Sequence, residues 1–121
     1  MSAYGWIITE DHLFLKTQHH ENNIFRDETG VTGPRSIAPD IEAALEIKDE
    51  EERKLAFKKQ GRDLVKFQMH DADGELYYTG WLAGDYGGAE PLDDFGLPNA
   101  GAIYIRWFED GKWTSSGEPN I

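Results

Sequence analysis

The chain of 121 residues contains no cysteine. Disulfides, thiolate nucleophiles and thiolate metal sites are thereby excluded, and the composition fits a reducing compartment. Long apolar runs are missing too, since none approaches the roughly 20 residues needed to span a bilayer as a helix. The opening "MSAYGWIITEDHLF" has neither the basic nor the apolar region of a signal peptide. A cytoplasmic protein with no membrane partner is expected. Serine is scarce, and none of Ser2, Ser36, Ser115 and Ser116 stands in a nucleophile elbow. Basic residues are also few: 12 Lys and Arg face 23 Asp and Glu, for a net charge of −11. Each phosphate contact needs a cation, so direct nucleic-acid binding is disfavoured and a basic partner is favoured.

What is present suits one small domain, residues 1–121, whose 4 Trp, 5 Tyr and 6 Phe can fill a core. Residues 4–9, "YGWIIT", form an aromatic and β-branched run that reads as a strand. "HLFLKT" prolongs it or turns back on it. Residues 18–35 are polar and rich in turn formers, and read as a long surface loop without helix or strand. Residues 39–60 read as helical, either as one helix or as two broken near 48–50. Pro39 suits a first turn, and Ile41, Ala44 and Leu45 share a face that Leu55 and Ala56 resume. Asp49 with Glu52 offers a second helix start, and Gly61 a stop.

"DLVKFQMH" alternates, with Val65, Phe67 and Met69 against Lys66, Gln68 and His70. It turns at "DADGE" into "LYYTGWL". This hairpin spans residues 63–82. A second spans 102–116, with Ile103, Ile105 and Trp107 facing the core. The fold class expected is α+β: four or five antiparallel strands, one face covered by helix and the other partly wet. Val65, Phe67, Met69, Leu76, Ile103, Ile105 and Leu45 are expected in one core.

Few residues suggest chemistry. "DADG" resembles the start of a calcium loop but lacks the later ligands, so it reads as a turn. Adjacent His19 and His20 point apart and chelate poorly. Asp11 beside His12 is the candidate acid–base pair. "TGVTGPR", residues 29–35, is a candidate anion cradle, although it lacks the P-loop lysine. No metal or cofactor is expected.

The negative charge is blocked rather than mixed. No Lys or Arg occurs between Lys66 and Arg106, a stretch holding Asp71, Asp73, Glu75, Asp85, Glu90, Asp93 and Asp94. The helical segment adds Asp40, Glu42, Glu46, Asp49, Glu50, Glu51 and Glu52, with Lys48 alone among them. Trp81, Tyr86 and Phe95 lie in or beside the acidic loops, and aromatics ringed by carboxylates suit protein recognition, although Trp81 also suits the core. Asp93, Asp94 and Phe95, with Asp71, Asp73, Tyr86, Glu46, Asp49, Glu50, Glu51 and Glu52, are the candidate partner-binding residues.

Four stretches carry a resemblance: "GWIITEDH" (5–12), "TGPR" (32–35), "DADGELYYTG" (71–80), and "PLDDFGLPNAG" (91–101) with the closing "GKW". Together they resemble a family of small uncharacterised proteins from phages and mobile elements of bacteria. The resemblance implies no particular activity. It implies a setting in which small acidic proteins, anti-CRISPRs among them, act against host nucleic-acid machines. The reading is a non-enzymatic inhibitor that mimics nucleic acid on the basic surface of a host protein or ribonucleoprotein complex. The alternatives are a small metal or His/Asp enzyme using His12, Asp11 and a loop carboxylate, and a small-ligand module in the 84–101 loop.

Overall fold

Alternating apolar runs along the chain pair into one open antiparallel sheet, with helices inserted after its first strand. The structure, a computed structural model, describes residues 4–17, 27–84, 90–96, 102, 104–109 and 111–116. Strand β1 (Tyr4–Asp11) leads into helix α1 (His12–Thr17). Strand β2 (Thr32–Gly33), helix α2 (Pro39–Leu45) and helix α3 (Glu50–Gln60) follow. Strands β3 (Leu64–His70), β4 (Leu76–Gly84), β5 (Tyr104–Glu109) and β6 (Lys112–Ser116) complete the fold. The sheet order is β2-β1-β4-β3-β5-β6, with β1 laid against β4. The fold is α+β as expected, but with six strands among the described residues rather than four or five.

Both expected hairpins form, pairing β3 with β4 and β5 with β6. The helical segment divides at residues 46–49. Pro39 opens α2, and the Asp49 carboxylate accepts from the Glu51 and Glu52 N–H groups to start α3. Gly61, at φ 69°, ends α3 in the left-handed conformation that glycine tolerates. Two expectations fail locally. "HLFLKT" is neither strand nor return but a helix, because Asp11 Oδ1 accepts from the Phe14 N–H and caps its first turn. The loop expected across residues 18–35 contains β2, whose Thr32 and Gly33 pair with Ile7 and Trp6.

Side chains alternate across a strand, so neighbours in sequence face opposite layers. Trp6 and Ile8 join a core with Phe67, Met69, Tyr78, Leu82, Leu92, Phe95, Ile105 and Trp107. Ile7 instead joins Ile41, Ala44, Leu45, Phe57 and Ala83 beneath α2 and α3. There are thus two cores, one on each face. Phe67, Met69, Ile105 and Leu45 are fully buried, but Leu45 lies across the sheet from the other three. Val65 and Leu76 are only half-buried.

The face expected to stay wet is the better covered one. The segment Leu92–Gly96, a single π-helical turn, packs Leu92 and Phe95 onto it. The wetter region is the half of the helix face that α2 and α3 do not reach. There Lys66, Gln68 and Arg106 are half-buried, and Phe108 and Trp113 meet edge to face in the open. On α3 the inward residues are Arg53 and Phe57, while Leu55 is 56% exposed, so Leu55 does not continue the apolar face. His19, His20, Asp85, Tyr86, Ile103, Pro98 and residues 117–121 lie outside the described residues.

Candidate functional site

The acidic loop is tied to the fold by its own side chains. Asp94 Oδ2 accepts from the Tyr4 hydroxyl at 2.7 Å and from Trp6 Nε1–H at 3.0 Å. Burial first, then the bond to Asp94 and the charges of Asp94, Glu90 and Asp93, push the Tyr4 hydroxyl far above its ordinary value. Phe95 is 8% exposed and packs its ring on Trp6 at 5.4 Å and on Tyr78 at 5.0 Å. Phe95 is therefore a core residue and not an anchor offered to a partner. Asp94 is likewise committed to the fold through its bonds to Tyr4 and Trp6. Asp93 alone of the three is exposed and without such a bond among the described residues.

The "DADG" stretch is the turn of the β3–β4 hairpin. Asp71 Oδ1 accepts from the Asp73 and Glu75 N–H groups, and Gly74 takes φ 81°. Burial, followed by Asp71 nearby, also raises the Tyr77 hydroxyl. The third acidic group, Glu46 with Asp49, Glu50, Glu51 and Glu52, lies at the bend between α2 and α3 and is exposed throughout.

These groups do not form one surface. The 92–96 turn packs on the face of Trp6 and Phe95, whereas α2 and α3 pack on the face of Ile7. Asp71 and Asp73 lie at the hairpin end where β4 begins. Asp94 meets Tyr4, which pairs with Gly84 at the opposite end.

The candidate acid–base pair is split. Asp11 is buried, with Oδ1 on the Phe14 N–H and Oδ2 on the Glu28 N–H at 2.9 Å. The His12 ring turns instead to the Thr79 hydroxyl at 3.1 Å and Glu10 at 3.3 Å. His70 lies near enough to His12 to feel its charge. Burial, then Arg106 and His12, against a smaller opposing pull from Asp71, lower the His70 pKa. Among the described residues no group of three His, Cys, Asp or Glu side chains is placed to hold a metal ion. The "TGVTGPR" cradle is also spent: the Gly30 N–H donates to Ile8 O, the Val31 N–H to Glu28 O, and Ile8 N–H returns to Val31 O.

One feature escaped the sequence reading. A cleft of about 620 Å³ opens between the middle of β1, residues 29–30, the α2–α3 bend and β4. Ile7 and Trp81 supply its apolar wall, and Lys48, Arg53 and Lys66 its cations; Glu10, Glu46 and Glu50 also line it. Trp81 is half-buried, neither core nor free. Lys54 and Lys66 bring their ammonium groups to 5.8 and 5.9 Å from its ring. The signal for this site was the inward Arg53, which only the phase of α3 reveals.

No family model, curated protein or solved structure matches the chain. Among the described residues no helix is long and apolar enough to cross a membrane.

Proposed function

We propose that the protein is a non-enzymatic acidic binding protein of the bacterial cytoplasm. In this reading it occupies the basic, nucleic-acid-binding surface of a host defence or processing complex, in the manner of an anti-CRISPR, and mimics the charge it displaces. The observation that carries the reading is the bend between α2 and α3. There Glu46, Asp49, Glu50, Glu51 and Glu52 are all exposed, with Glu51 at 82%. The side chains of Glu46 and Glu52 have no hydrogen bond or ion pair among the described residues. Acids in a first turn complement the helix dipole, which accounts for Glu50 to Glu52 as helix formers. The dipole does not account for Glu46, which precedes α3, or for the net charge of −11. The engagement of Asp11 with backbone donors speaks against the His/Asp enzyme.

Contact through this bend alone replaces the broader acidic face, because Asp94 and Asp71 are committed to the fold. The test is capture of a host protein by the tagged chain, followed by competition. The expected result is one partner released by added DNA or RNA and lost with Glu51→Lys/Glu52→Lys. A partner that ignores both nucleic acid and the charge reversal would contradict the reading.

A further inference from the structure

We propose that the cleft beside Trp81 binds a small planar anion, an aromatic or heteroaromatic ring carrying a phosphate or carboxylate. The site adjoins the acidic bend and shares Glu46 and Glu50 with it, but neither Glu51 nor Glu52, the residues that test the proposed function, lines it.

The argument begins with Arg53. Its place on the inward face of α3 leaves it 7% exposed, yet it is among the residues that line the cleft. Nε donates to Leu45 O at 3.2 Å and Nη2 to Ile47 O at 2.7 Å, so the guanidinium closes the end of α2. A guanidinium carries five N–H donors, and these two bonds leave the remainder unused among the described residues. No carboxylate lies within ion-pair distance of it there; Glu50 acts only from further away. Buried charge is costly unless paired, and burial accordingly depresses the Arg53 pKa. The result is a fixed, under-compensated cation with spare donors at the wall of an open cleft.

The second part is the ring. Trp81 stands between Ile7 on β1 and Lys66 on β3 in the sheet register. Its indole offers a flat apolar surface inside the cleft, and aromatic rings pack on such surfaces offset or edge to face. Lys54 and Lys66 hold positive charge over that ring, about 6 Å from its centre, which disfavours a cationic guest and favours an anionic one that draws the ammonium groups to itself. The volume of about 620 Å³ lies within the range of small-molecule sites, which pair an apolar wall with a few convergent polar groups.

Glu10, Glu46 and Glu50 limit what enters. Their repulsion opposes a polyanionic strand and leaves the Trp81, Arg53 and Lys66 wall as the place for a single anionic group. Ring and charge are thus both required of the ligand.

The test follows the indole N–H resonance of Trp81 in the full chain during titration. Adenosine monophosphate and 2-naphthoate serve as ring-bearing anions, adenosine as the neutral ring, and inorganic phosphate as the anion without a ring. The expected result is saturable binding of at least one ring-bearing anion, at least about tenfold tighter than adenosine or phosphate. Which of the two saturates assigns the anionic group as phosphate or carboxylate. Lys66→Gln, at a half-buried position on the sheet, should weaken that binding about tenfold with the rest of the spectrum unchanged. Trp81→Phe should retain part of it and Trp81→Leu should lose it, followed through the neighbouring amide of Lys66. Arg53 is left intact because it also closes α2. No saturation by either ring-bearing anion up to about 5 mM would overturn the proposal. So would equal binding of adenosine, or binding indifferent to Lys66→Gln.

Discussion

Asp94 and Asp93 are neighbours of the same chemistry with opposite duties. Both are exposed, but Asp94 satisfies Trp6 Nε1–H and the Tyr4 hydroxyl, while Asp93 makes no such bond among the described residues. Asp94→Ala should therefore cost about 1–3 kcal/mol, because it strands a donor of a buried ring. Asp93→Ala should stay within about 0.5 kcal/mol. Phe95→Ala should cost about 3 kcal/mol or more, as a large ring leaves the core. Urea melts of the three variants check all of this. His70 makes a pH prediction. It is 7% exposed, its Nδ1 is buried without a hydrogen-bond partner, and its pKa is lowered from 6.5. Its neutral form is favoured in the fold, so the unfolded chain binds the proton first. The stability it contributes is full above pH 6.5 and is lost as pH falls from there through the lowered folded value. His70→Leu should flatten the pH dependence of the urea midpoint between about pH 7 and pH 5; an unchanged slope would remove His70 as its source. None of these duties was legible in sequence. "PLDDFG" has no periodicity, so nothing told the bonded Asp94 and the buried Phe95 from the unbonded Asp93.

Elements with a repeating pattern or a cap were legible, and short ones were not. The β3–β4 hairpin followed from strict alternation around "DADGE", and the helical segment, as one helix or two, from Pro39, Asp49 and Gly61; that it divides in two is shown by the structure. Helix α1 is not legible, because "HLFLKT" is too short to distinguish periods of 2 and 3.6, and its cap, Asp11, is in sequence equally a catalytic candidate beside His12. Strand β2 is two residues long and exists only through its pairing with β1. On α3 the apolar stripe is thin: Phe57 is buried and Leu55 exposed, and a polar residue, Arg53, takes the next inward position. Phe57→Ala should then cost about 3–5 kcal/mol and Leu55→Ala a small fraction of that. Asp49→Ala should cost about 1 kcal/mol as a lost N-cap. Since the Asp71 carboxylate serves the turn, calcium should not move the melting temperature, whereas a site at about 100 times its Kd would add about 2.7 kcal/mol.

At the level of the molecule, the sheet decides what the charges can do together. Sequence displayed two acidic blocks; the fold sets them on both faces and at both ends, because α2 and α3 pack on one face, the 92–96 turn on the other, and residues 71–73 turn the β3–β4 hairpin. The class and the order of elements were readable, but the juxtapositions were not, since they depend on strand order. Thr29, Arg53, Lys66 and Trp81 meet in one cleft only once β1 lies beside β4 and α3 packs above them. Among the described residues the bend between α2 and α3 gathers the largest group of exposed acids, and it carries the proposed function. The association rate of the captured partner with wild type and with Glu51→Lys/Glu52→Lys, at about 50 and about 300 mM salt, tests that most directly. The account predicts markedly slower association of the variant at the lower salt, with the difference shrinking at the higher salt and dissociation little changed. Equal association rates at both salt concentrations would contradict it.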